Sequence, residues 1–76
     1  MPHISIKMYP GRTEEQKIEL CKTITEAVVR IAKCEEKSVS ISIEEVTPKD
    51  WTTKVYLPEI SGKKSLLYKE PGYQPE

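Results

Sequence analysis

From His3 to Met8 the chain reads H-I-S-I-K-M, with Ile4, Ile6 and Met8 on one side and His3, Ser5 and Lys7 on the other. Alternation with a period of two predicts a half-buried β-strand. Tyr9-Pro10-Gly11-Arg12 ends it, because a Pro-Gly pair suits a turn and withdraws a ladder donor. Thr13 and Gln16 then have the spacing of a capping box, so a helix is predicted to start here, with Glu14 and Glu15 at its positive end. Ile18, Cys21, Ile24, Val28, Ile31 and Ala32 recur at intervals of three and four, an apolar stripe that carries the helix to about Cys34. Lys17, Glu19, Lys22, Glu26, Arg30 and Lys33 make the solvated side, with Glu26 and Arg30 in the favourable i,i+4 order. From Ser38 to Val46 the pattern returns to alternation, Val39, Ile41 and Ile43 being separated by serines, and a second strand is predicted.

Strand, helix, strand with a crossover of about twenty residues is the usual way to join parallel strands. Beyond Pro48 the pattern fades. Lys49-Asp50-Trp51 is turn-like, Pro58 and Gly62 interrupt anything regular, and Lys63 to Tyr68 fits a short helix or a short strand. The tail KEPGYQPE reads as an irregular arm available to a neighbouring copy. The expected organisation is one domain over 1–76, with a core at 2–51 and an irregular arm from about 52 to 76. The fold class is α+β, a β-α-β protomer with two parallel strands and one long helix. Two strands and a helix cannot cover both faces of a sheet, so self-association is expected; two copies side by side would give a four-stranded sheet with both helices on one face.

Composition narrows the function. At 76 residues a lone copy buries only about 60% of the surface that its unfolded chain exposes. Twelve basic residues balance twelve acidic ones, which argues against a nucleic-acid surface or a polybasic membrane patch, and no apolar run is long enough to span a bilayer. The alternation of His3 to Tyr9 is not the apolar core of a secretory signal, so a cytoplasmic location is expected. Cys21 and Cys34 lie on one predicted helix, roughly 20 Å apart at the helical rise, too far to bridge within a chain. With His3 the single histidine and no closely spaced cysteine pair, a zinc site from one chain is not expected.

Few groups remain for catalysis. His3 lies on the polar side of the first strand, Cys21 on the apolar stripe as an inert thiol, and Cys34 has no histidine near it in sequence. The amino terminus has two readings. Proline can begin a strand where its missing donor is tolerated. If Met1 is removed, Pro2 instead presents a secondary amine, and burial or a cation such as Arg12 lowers its pKa from the usual 7.7 to 8.0 toward that of a base working at neutral pH.

The stretches Pro2-His3-Ile4-Ser5-Ile6-Lys7, Gly11-Arg12-Thr13-Glu14-Glu15-Gln16-Lys17 and Ser38 to Val46, together with Trp51, resemble the 4-oxalocrotonate tautomerase family. The likeness covers residues 2 to 51, and the longer tail around Lys69-Glu70-Pro71-Gly72-Tyr73 is similar to the dimeric bacterial branch. The resemblance implies a tautomerase fold in which the terminal proline shuttles a proton between positions of an enol or unsaturated keto acid, without metal or organic cofactor. It implies that Pro2 is the general base and acid, that Arg12 engages a substrate carboxylate, and that Trp51 lines the pocket. Arg12 as a solvated turn residue and Trp51 as interface core are the plainer readings. Where the founders carry a second arginine that polarises the substrate carbonyl, this chain has Ser40, which offers a hydrogen bond but no charge. Lys7, His3 or a residue of a partner copy are the possible substitutes. A substrate with one carboxylate, such as an aryl or alkyl enolpyruvate, is therefore expected over a dicarboxylate, with a dimer favoured over a hexamer. The rival reading is a non-catalytic β-α-β module that binds a partner through its sheet edge or tail.

Overall fold

In the structure of the protein, a computed structural model that describes residues 1–75, the first strand β1 spans His3–Met8 and the second, β2, spans Ser40–Glu45. They pair in parallel from His3 opposite Ser40 to Met8 opposite Glu45. The ladder is closed at its ends by the Ser40 amide donating to the Pro2 carbonyl at 3.2 Å and the Val46 amide donating to the Met8 carbonyl at 2.9 Å. This register stacks Ile4 and Ile6 beside Ile41 and Ile43 on one face. His3, Ser5 and Lys7 stand beside Ser40, Ser42 and Glu44 on the other.

Helix α1, Glu14–Ala32, connects the strands. Its capping box is formed as the sequence predicts: the Gln16 amide donates to Thr13 Oγ1 at 3.1 Å, and the Thr13 amide donates to Gln16 Oε1 at 2.8 Å. Thr13→Ala removes one of these bonds and is expected to cost about 1 kcal/mol of stability in urea unfolding. An unchanged midpoint would mean that the helix start is held by tertiary contacts instead. Lys17 Nζ meets Glu45 Oε2 at 2.9 Å, which ties the first turns of α1 to the sheet face carrying Ile41 and Ile43. The helix stops at Ala32, two residues short of Cys34, because Lys33 takes a left-handed conformation with φ of 58°. Both cysteines are free and half-buried.

The chain does not become irregular after Trp51. A short helix α2, Pro48–Trp51, begins with proline in its first turn, where the missing amide costs no bond, and runs on as wide π-type turns over Thr52–Ile60 and tight turns over Ser61–Leu66. Pro58 breaks the α ladder without ending the coil: the Ser61 amide reaches back to the carbonyls of both Leu57 and Tyr56. Gly62 permits the next bend, since a Cβ there would lie 2.6 Å from the Leu57 carbonyl oxygen. Only the last stretch, 67–75, lacks regular structure.

Lys7 projects from the polar sheet face to Glu59, so the C-terminal coil is pinned to β1 by an ion pair. That hydrogen bond, helped by the charges of Glu59 and Glu44 and opposed by burial, holds the Lys7 ammonium above its ordinary value of 10.5. Being raised, the value keeps the pair intact through neutral pH, and its contribution is lost only as strongly alkaline pH passes the raised value.

The core of one copy is small. Among the described residues Val46 and Val55 are the buried apolar ones, 5% and 6% exposed, and no residue of α1 is buried. Ile18 and Ile31, predicted on the inward stripe, remain 64% and 67% exposed because a two-stranded sheet is too narrow to cover a helix of 19 residues.

Candidate active site

The turn after β1 and the end of α2 come together. Gly11, with φ of 128°, bends the chain so that Arg12 follows Tyr9 back toward Trp51. Tyr9 and Trp51 meet edge to face, their ring centroids 5.1 Å apart at 88°. The Trp51 indole N–H donates to the Tyr73 hydroxyl oxygen at 2.8 Å, and Tyr73 also lies against Tyr56 with centroids 5.7 Å apart. Tyr9, Trp51 and Tyr73 border an open cavity of about 680 Å³ that Lys7, Arg12 and Thr52 also line.

The cavity contains two cations in different states. Lys7 is neutralised by Glu59, whereas Arg12 is exposed and has no carboxylate partner among the described residues. One unpaired, planar donor beside aromatic walls is suited to one carboxylate attached to an apolar group. Arg12 and Trp51, singled out from sequence, are thus brought to one site.

Pro2 and Ser40 stand elsewhere. They sit at the opening end of the sheet, where His3 Nδ1 and Ser40 Oγ are 2.7 Å apart. A strand of six residues separates that end from the cavity by about 20 Å. Two substitutes weighed for the missing arginine, Lys7 and His3, are therefore already engaged, by Glu59 and by Ser40.

A family model described as "Tautomerase enzyme" matches residues 2–58. The chain is 38% identical to Tautomerase PptA of Enterobacter sp. (strain 638) over 74 residues, covering 96% of this chain and 97% of that protein. It is 39% identical to Tautomerase PptA of Klebsiella pneumoniae subsp. pneumoniae over 74 residues, with the same coverage. The chain belongs to the tautomerase family. A solved structure, that of YwhB, a homologue of 4-oxalocrotonate tautomerase, superposes with a TM-score of 0.60 at 38% identity over 62% of this chain and 77% of that one.

The tautomerase family to which the chain belongs makes it an isomerase of the 4-oxalocrotonate tautomerase type. Members of this family act on small molecules and are usually oligomeric. No helix of this tautomerase among the described residues is long and apolar enough to cross a membrane.

Sequence reasoning missed Tyr9, Glu59 and Tyr73. At Tyr73 the tail of this tautomerase folds back on its own Trp51. The available signal was compositional: in a chain without phenylalanine, the few aromatic rings outside the apolar stripes are the first candidates for packing on one another.

Proposed function

We propose that this tautomerase interconverts the enol and keto forms of a 2-keto acid that carries one carboxylate and an apolar group. With Met1 removed, the neutral Pro2 amine takes the proton of the enol hydroxyl. The resulting secondary ammonium returns a proton to the adjacent carbon: an enolate oxygen lone pair forms the C=O bond while the C=C electrons form the new C–H bond. Proton count and charge are the same before and after, and the amine is regenerated. Arg12 holds the carboxylate. Met1 is fully exposed, so its removal breaks no packing contact.

The observation that carries this reading is the unpaired Arg12 guanidinium in an aromatic cavity whose second cation is neutralised by Glu59. It favours a monocarboxylate over a dicarboxylate. The site also calls for a second copy. β1 is an edge strand of a two-stranded sheet, and antiparallel pairing of two β1 edges about a two-fold axis brings Pro2 of one copy beside residues 8–12 of the other. A dimer is the smallest assembly that meets this need.

Arg12→Ala is expected to raise KM for a phenyl enolpyruvate about ten- to a hundredfold, with a smaller change in kcat, as for loss of a charge-assisted hydrogen bond to substrate. Steady-state ketonisation rates followed by ultraviolet absorbance provide the measurement. An unchanged KM would remove Arg12 from the site.

A further inference from the structure

Of the chain's four tyrosines and one tryptophan, all but Tyr68 join one run of contacts: Tyr9 against Trp51, Trp51 to Tyr73, and Tyr73 against Tyr56. Such a cluster would normally be core. Here Tyr9 and Tyr73 are each more than 40% exposed, and the exposed sides border the cavity that Arg12 also lines. Tyr73 comes from a stretch without regular structure, so its ring is positioned by Trp51 and Tyr56 and not by a ladder of its own. The indole N–H is satisfied by the tyrosine oxygen, which leaves the hydroxyl hydrogen free and fixes the ring as part of the wall. A flat ring on the substrate would find offset or edge contacts there, whereas a flexible alkyl chain would gain burial only.

We propose that Tyr73 is a specificity-determining residue that selects an aryl group over an alkyl group on the carboxylate bound at Arg12. The proposal rests on the reading of Arg12 as the carboxylate holder, but not on Pro2 as the base. The tail thus supplies one wall of the binding site.

Binding can be read without turnover, because Trp51 is the single tryptophan and its indole N–H gives one resonance in a nitrogen–proton correlation spectrum. Cinnamate and hexanoate, an aryl and an alkyl monocarboxylate, are titrated into the wild-type protein and into Tyr73→Ala, Tyr73→Phe and Pro2→Ala. Tyr73→Ala is expected to lower the cinnamate-to-hexanoate affinity ratio about five- to tenfold, the scale of one aromatic pair, with most of the ratio regained in Tyr73→Phe. Equal weakening of both ligands, or no change in either, would overturn the proposal. Pro2→Ala separates the two readings: cinnamate preference that persists in an inactive Pro2→Ala protein supports both, and preference alongside full Pro2→Ala activity sinks only the proline mechanism.

Discussion

Replacing Pro2 by alanine should leave the fold in place and lower enol ketonisation about 10²- to 10⁴-fold, the range spanned by loss of a positioned general acid and base. The fold is expected to survive because the Pro2 side chain takes part in no ladder bond. Its carbonyl accepts from the Ser40 amide, and alanine keeps that carbonyl. Chemistry is another matter. Alanine presents a primary amine with more rotational freedom, so some activity persists but the lone pair is no longer held by a ring. A chain that retains Met1 should be more severely affected, since the Pro2 nitrogen is then part of a peptide bond and has no basic lone pair. Intact mass and ketonisation rate measured on one sample would test both cases. Activity within a few fold of wild type, in either Pro2→Ala or a fully Met1-bearing protein, would exclude the proline mechanism.

The second large effect is a gain. Pro2→Ala and Arg12→Ala proteins, each weakly active alone, should recover activity when unfolded together in equal amounts and refolded. If each site takes its amine from one copy and its guanidinium from the other, a mixed dimer has one intact site and one site with both defects. Random pairing makes half of the dimers mixed, so about a quarter of all sites are intact. The geometry behind this is the strand: a length of about 20 Å separates the Pro2 end of β1 from the end where Arg12 lines the cavity, several times the reach of a small keto acid. At substrate well below KM, where Arg12→Ala alone is slow, recovery of roughly one quarter of the wild-type rate is the expected result. A mixture no more active than the separate proteins would show that both groups act within the same copy, and the proposed edge pairing would fail with it.

The parts of this molecule that are local in sequence were legible before the structure. The alternation of Ile4, Ile6 and Met8, the Thr13–Gln16 capping pair and the serine-spaced second strand each encode their own geometry through periodicity or a fixed hydrogen-bond spacing. Arg12 and Trp51 were singled out as site residues through a family likeness, and the structure places both on the lining of one cavity. The segment after Trp51 was not legible. Pro58 and Gly62 are ordinarily breakers, yet here the proline sits where the coil widens and the glycine where it must pass close to the Leu57 carbonyl. The coil that holds them is in turn pinned across the fold by Lys7 with Glu59, a contact for which neighbouring residues provide no signal. Tyr73 is the same case: its partner Trp51 lies 22 positions away, and no periodicity connects them.

The aromatic clasp has a practical consequence. Gln74 and Pro75 continue along the cavity rim after Tyr73, so a sequence fused behind the tail starts close to that rim. Anything fused ahead of Pro2 converts its amine into an amide. Under the proposed mechanism, a handle at either terminus therefore alters the site. Purification from an untagged chain, or with a handle cleaved to leave Pro2 first, is needed before a low turnover number can be attributed to the enzyme itself.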